Sequence, residues 1–203
     1  MNPLRHWKQI GLALLGLGAG CGAGRLPADL IGSKIVANAR VQLGWNTVYD
    51  PAYVKLGYPG GDLPKEKGVC TDVVIRALRA VGKDLQKLVH EDKVKNLGLY
   101  PMYPGTRGAD RNIDHRRCPN LVVFFRRFGS SLTTKTDAHS LNQWKPGDIV
   151  FWKLDNGRDH VGIVTDKVDG RGMPYAIHNL STTLEEPVLT SWRIVGHFRY
   201  PRR

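Results

Sequence analysis

Cysteine is scarce in this 203-residue chain. Cys21, Cys70 and Cys118 are its only three, and none sits in a CxxC pair or a zinc-like Cys/His spacing, so no metal site is expected. In an oxidising compartment the plain structural alternative for the last two is a Cys70–Cys118 disulfide. Acidic residues are also few: 18 Asp and Glu against 30 Lys and Arg leave a formal net charge of +12 and a pI near 9.8. That balance either serves solubility or favours anionic partners: nucleic acid, acidic lipid, or the anionic polymers of a bacterial envelope. Repeats and low-complexity tracts are absent. A hydrophobic content of 41% with 24% charge excludes a disordered chain, and the length suits one domain, with or without a leader.

No apolar run is long enough for a comfortable membrane span. Ile10 to Ala19 is short and Gly-rich, follows the basic Arg5, His6 and Lys8, and precedes small residues from Gly18 to Ala23. This pattern predicts a secretory leader over residues 1–24 and one domain over 25–203. Leu17-Gly18-Ala19-Gly20-Cys21 resembles a bacterial lipoprotein signal, which would attach the chain to a membrane through an acylated Cys21. The expected location is the periplasm or a lipid-anchored position in the cell envelope. A nucleic-acid partner would rest on charge alone: the chain lacks aromatics interleaved in a basic groove, and a leader argues against it.

Periodicity predicts helices over Ala28–Leu43, Cys70–Gly82 and roughly Leu85–Leu97. A further helix begins near Pro119, with an apolar stripe of Leu121, Val122, Phe124, Phe125 and Phe128. Between the helices lie irregular stretches, Trp45–Lys67 and Tyr100–Arg117. After Trp144 the period becomes strand-like: Ile149–Trp152, His160–Thr165, a turn at Asp169-Gly170, Tyr175–Leu180, and one or two short strands within Val188–Tyr200. Helices first and strands afterwards predict an α+β domain, N-terminal helices packed on a C-terminal antiparallel sheet.

Cys70 opens its helix, where the positive end of the dipole favours thiolate over thiol. If the hairpin turn centres on Asp169 and Gly170, His160 faces Asn179; a turn one residue tighter places it opposite His178. Either partner could fix the tautomer of a catalytic imidazole. Each feature also has a bland reading, as an inert thiol, a packed histidine, or turn chemistry.

Ala39-Arg40, Leu43-Gly44, Tyr58-Pro59-Gly60-Gly61, Cys70-Thr71-Asp72-Val73-Val74, Gly147 to Trp152 and His160 to Val164 together resemble the NlpC-type cysteine peptidases of bacterial cell walls. Tyr49-Asp50-Pro51, Val89 to Asp92, Asn112 to Arg117, Ile177-His178-Asn179 and Gly196 to Tyr200 resemble more closely an exported bacterial family, domain-of-unknown-function family 1287, which looks like a branch of that superfamily. The resemblance implies a papain-like fold and a hydrolase that cleaves amide bonds in peptidoglycan stem peptides without a cofactor. It makes Cys70 the nucleophile, His160 the base and His178 the orienting residue, with Asn179 as the alternative. Tyr58 would stand near the oxyanion, with Tyr49 competing for that place. Asp72 and the Asp114-His115-Arg116-Arg117 segment are candidate substrate contacts, since Arg suits carboxylate recognition; a structural salt-bridge cluster is the other reading of that segment. The pattern departs from the cell-wall enzymes at Val69 and Thr71-Asp72 and in the 90 positions separating Cys70 from His160. A non-catalytic module binding anionic wall polymer, or an acyltransferase using the same Cys/His pair, would also fit.

Overall fold

The computed structural model describes residues 28–45 and 47–202, so the expected leader and Cys21 lie outside the described residues. The expected α+β class is what the chain forms. Its helices are Ala28–Arg40 (α1), Cys70–Arg79 (α2), Leu85–Lys95 (α3) and Cys118–Phe128 (α4). Val48–Tyr49 (β1) and Lys67–Gly68 (β2) make a short parallel pair. Ser130–Ser131 (β3), Ile149–Lys153 (β4), Asp159–Val168 (β5), Pro174–Asn179 (β6), Thr183–Glu186 (β7) and Arg193–Arg199 (β8) form an antiparallel sheet in the order β3-β8-β4-β5-β6-β7. Among the described residues no helix is long and apolar enough to cross a membrane.

Alternation along the central strands explains the layering. Ile149 and Phe151 of β4, with Val161 and Ile163 of β5, join the core shared with the helices. There they meet Val73, Val74, Ala77 and Leu78 of α2 and Leu121, Phe124 and Phe125 of α4. The intervening residues, Val150, Trp152 and Val164, cluster on the opposite face with Trp144, Ala176 and Leu189. Both faces of the sheet centre are therefore covered, and each fully buried large side chain contributes about 1.5–3 kcal/mol. Trp152, whose indole N–H donates to the Leu189 carbonyl at 2.9 Å, becomes the floor under the candidate site.

Several boundaries differ from expectation. The α1 helix ends at Arg40 and α2 at Arg79, each three residues early. The β5–β6 connection is a longer loop, closed by the Asp169 N–H to the Met173 carbonyl at 2.9 Å. That loop sets Val168 opposite Pro174, and an irregularity between Val164 and Val168 takes back only part of the shift, so His178 pairs with Gly162 rather than His160. Within Val188–Tyr200 there is one strand, β8. The preceding strand, β7, was not anticipated; its Thr-Leu-Glu-Glu sequence carries too little apolar character to signal one. The Cys70–Cys118 disulfide is not formed: both cysteines are free, with their sulfurs 3.8 Å apart.

The turn into β4 is clamped to α1. Gly147 has φ +84°, and a Cβ there would come within 2.6 Å of the Gly32 Cα, so two glycines let backbone meet backbone.

Candidate active site

Val69, before Cys70, has no side-chain group to cap α2. Asp72 supplies the reciprocal half of a cap, its carboxylate accepting the Val69 N–H at 2.7 Å. Arg116 donates to the same carboxylate at 3.0 Å and to the carbonyls of Asp50 and Ala52 at 2.9 and 3.1 Å. This buried cluster fixes the helix start against the loop after β1. Asp72 and Arg116 are thus held by each other, and Arg116 borders the cleft with its guanidinium already engaged.

Cys70 lies at the first position of α2, and Cys118 at the first position of α4. Two helix N-termini therefore converge on one pair of sulfurs. The Cys118 thiol, the His160 imidazole and the Val161 N–H pull the Cys70 thiol down to about 5 against the opposing effect of burial. The same contact pushes Cys118 well above its ordinary value. The pair shares one proton, and the sulfur facing the imidazole carries the charge.

His160, almost fully buried, rests on the Trp152 ring and touches Trp192. Its Nε2 lies 2.9 Å from His178 Nδ1, and His178 Nε2 lies 3.0 Å from a Glu186 carboxylate oxygen. Burial, and then the charge of His160, lower His178 to about 4, so its ring is neutral at pH 7. A carboxylate only accepts, so the His178 proton sits on Nε2 and its Nδ1 is bare. His160 must then donate from Nε2, which leaves its Nδ1 free to take a proton. The series thereby assigns each tautomer from the outer end inward.

The register makes this contact possible. His178 lies directly across from Gly162 and leans along the sheet to His160; a Cβ on Gly162 would come within 3.1 Å of the His178 Cβ and 3.0 Å of the Trp152 ring. Asn179 follows His178 on the strand and turns to the other face, with its amide toward Thr183 Oγ1 at 3.5 Å. Glu186 went unrecognised in the sequence because β7 did. Its strand is anchored by Arg40 of α1, which grips the Glu185 carboxylate at 2.7 and 3.1 Å and also pairs with Asp166.

A cleft of about 430 Å³ opens over Cys70, walled by Tyr49, Tyr53, Tyr103, Arg117, Cys118 and Pro119 among others. Tyr49 arrives because β1 pairs with β2, placing it beside Gly68, two residues before Cys70. Burial first, and then the Cys70 charge it is hydrogen-bonded to, raise its hydroxyl, so Tyr49 is a donor. Tyr58 is not brought here: its ring packs edge-on against His90 and under Arg111.

The Asp114–Arg117 segment divides between the two roles expected of it. Asp114 is buried against Lys93 at 2.8 Å and accepts the Asp110 N–H and the Asn120 amide. His115 is buried and lies outside the cleft, held at about 3 by burial and then by the neighbouring Arg116 charge. Of this segment, only Arg117 offers uncommitted charge to the cleft, whose lining also includes Asp159, paired with Lys153 at 2.6 Å. Its guanidinium lies 3.9 Å over the Tyr103 ring, and its nearest carboxylate, the occupied Asp114, is 3.7 Å away. Neither Arg117 Nη1 nor the Tyr103 hydroxyl has a hydrogen-bond partner among the described residues. Burial raises that phenol to about 12, so it too is a donor. No group of three or more His, Cys, Asp or Glu among the described residues is arranged to hold a metal ion.

Other motif residues are structural. Asp92 receives the Tyr100 hydroxyl at 2.6 Å and Arg127 at 2.8 and 3.0 Å. His197 and Arg199 both converge on the buried Asp148. Comparison with known proteins adds a match of residues 36–200 to the family model described as domain of unknown function DUF1287. It also finds 51% identity over 167 residues to the uncharacterized protein YijF of Escherichia coli K12, covering 82% of this chain and 80% of that protein. A match running from α1 through the last strand includes every group described above, and the chain belongs to the DUF1287 family.

Proposed function

We propose that the protein is an exported cysteine hydrolase that cleaves amide bonds in peptidoglycan stem peptides, with a papain-like, NlpC-type arrangement of its catalytic groups. The observation that carries this reading is the continuous series Cys70–His160–His178–Glu186, its sulfur end opening on a cleft. Export, whether into the periplasm or to a lipid anchor at Cys21, rests on the leader-like N-terminus.

In the resting enzyme Cys70 is a thiolate and His160 holds the proton. The thiolate attacks the substrate carbonyl, and the oxyanion is held by the Cys70 backbone N–H at the helix start and by the Tyr49 hydroxyl. His160 gives its Nδ1 proton to the departing amine. The neutral ring next removes a proton from water, which attacks the thioester and regenerates the thiolate. Through both halves His160 keeps its Nε2–H on His178, so neither step requires the ring to turn. Replacing Cys70 by alanine is expected to abolish cleavage of purified peptidoglycan or its stem peptides, while Tm changes by no more than about 4 °C. Undiminished cleavage by that variant would falsify the assignment.

Asp159 at the cleft is paired with Lys153, so Arg117 is the cation there that suits the free carboxylates of such peptides. A second hollow of about 290 Å³, bordered by Val122, Val123, Phe151 and Val195 with Arg126 and Asp159, meets the cleft at Cys118, Pro119 and Asp159 and could take an apolar side chain of a substrate. Arg117→Ala should raise KM for peptides bearing a carboxylate roughly ten- to hundredfold, with kcat little changed. Amidated analogues should be indifferent to the substitution. Equal losses on both would remove Arg117 from carboxylate recognition.

A further inference from the structure

Hydrolysis uses one sulfur, yet the site holds two. Cys118 has no part in the attack or in proton transfer to the leaving group, and it is nonetheless placed 3.8 Å from the nucleophile. Both side chains are almost fully buried and both border the cleft, so a small oxidant entering it meets the two sulfurs together. We propose that Cys70 and Cys118 form a reversible oxidation site, in which a hydroperoxide oxidises Cys70 and Cys118 resolves the product into a disulfide that stores the nucleophile.

The chemistry balances without any further reagent. With hydrogen peroxide, the Cys70 thiolate attacks one peroxide oxygen; the O–O bond breaks, an S–O bond forms, and the hydroxide released (an alkoxide from an organic hydroperoxide) takes the proton held by His160. Cys70 is then a sulfenic acid, His160 is neutral, and one water has formed. The Cys118 sulfur attacks the Cys70 sulfur as its S–H proton passes through His160 to the departing hydroxide. An S–S bond replaces the S–O bond and a second water leaves. Two thiols have lost two electrons and the hydroperoxide has gained them; for hydrogen peroxide both products are water.

Three features favour the second step over further oxidation. The sulfurs need approach by only about 1.8 Å to reach bonding distance. While Cys70 is charged it holds the Cys118 proton in place; once Cys70 becomes a neutral sulfenic acid that restraint is gone. The N-terminus of α4 then favours a thiolate at Cys118, as that of α2 does at Cys70. Without a resolving thiol, sulfenic acid proceeds to sulfinic acid, which ordinary thiols do not reverse. Cys118 would thus keep a reactive centre at the base of the cleft recoverable.

The inference needs Cys70 to be a reactive thiolate but is independent of the substrate. The test treats the full-length protein with stoichiometric hydrogen peroxide, followed by non-reducing peptide mapping and intact mass. The expected product is a Cys70–Cys118 linked peptide, with the mass of two hydrogens lost and iodoacetamide reactivity of Cys70 restored by dithiothreitol. In Cys118→Ser the link cannot form, and Cys70 should be trapped by dimedone or pass to sulfinic acid. Sulfinic acid forming at Cys70 as fast in the wild type as in Cys118→Ser would overturn the proposal, as would a Cys70 link to Cys21 instead. Iodoacetamide labelling before oxidation reports separately on Cys70. Rapid labelling without the disulfide defeats this inference and leaves the hydrolase reading intact.

Discussion

Replacing Cys118 by alanine is expected to raise the midpoint of Cys70 alkylation from about 5 by roughly one to three pH units. Cys70 is an acid whose folded value is lowered, so it is charged above the midpoint and alkylation accelerates as pH rises through it. The wild-type rate should therefore level off already near neutrality. Loss of the Cys118 S–H removes the largest of the groups stabilising the thiolate, while His160 and the Val161 N–H remain. At pH 6 the variant should react more slowly by about twofold for a one-unit rise, roughly tenfold for two units and about ninetyfold for three. Cys118→Ser, whose hydroxyl still donates, should keep a midpoint near the wild-type value. That rescue separates a hydrogen-bond role from simple packing, because serine and alanine both remove the sulfur from the core. Rates of iodoacetamide addition at Cys70, followed by peptide mass spectrometry across pH, measure this directly. Identical midpoints in all three proteins would mean that the 3.8 Å contact is incidental.

The parts of the site that could be read from sequence are those with a local signature. Cys70 at a helix start follows from Val73, Val74, Ala77 and Leu78 at helical spacing just after it, and these residues are fully buried. His160 and His178 were drawn together by strand alternation, since even an inexact register keeps nearby residues of one face within reach. The register itself was not legible: a longer turn displaced the pairing and an irregularity between Val164 and Val168 restored part of it, so neither expected register forms and His178 faces Gly162. The outcome survives because an imidazole is long enough to span the diagonal when the facing residue has no side chain. Tyr49 could not be preferred over Tyr58, because the pairing that delivers it is two residues long and has no periodicity. Glu186 was hidden for a related reason, on a short strand made of threonine, leucine and two glutamates. The Asp114–Arg117 cluster shows a different limit. Composition marks charged residues as available for ligands, whereas Asp114 and Arg116 are spent on Lys93 and Asp72 in the interior. Only the arrangement of partners separates Arg117 from its neighbours.

Asp148 carries the largest expected effect on stability. Its carboxylate is fully buried and accepts four donors: Arg199 at 2.6 and 2.7 Å, His197 Nε2 at 2.9 Å, and the Lys145 N–H at 2.8 Å. The His197 ring is further fixed by stacking 3.6 Å from Trp144 and by the Thr133 carbonyl at 2.7 Å. Alanine at 148 would leave the guanidinium and the imidazole facing an apolar gap, a loss of about 3–5 kcal/mol. For a domain of this size that lowers Tm by roughly 6–20 °C. Asparagine keeps acceptor capacity without charge and should fall between the two. The latch sits four residues along β4 from Trp152, the residue opposite His160, a separation of about 13 Å. Below its melting transition Asp148→Ala should therefore retain the wild-type midpoint for Cys70 alkylation. A thermal melt and an alkylation profile on the same preparation decide the matter. A large fall in Tm with an unmoved midpoint assigns Gly147-Asp148 and His197-Phe198-Arg199 to holding the sheet, and leaves the chemistry to the opposite end of the same strands.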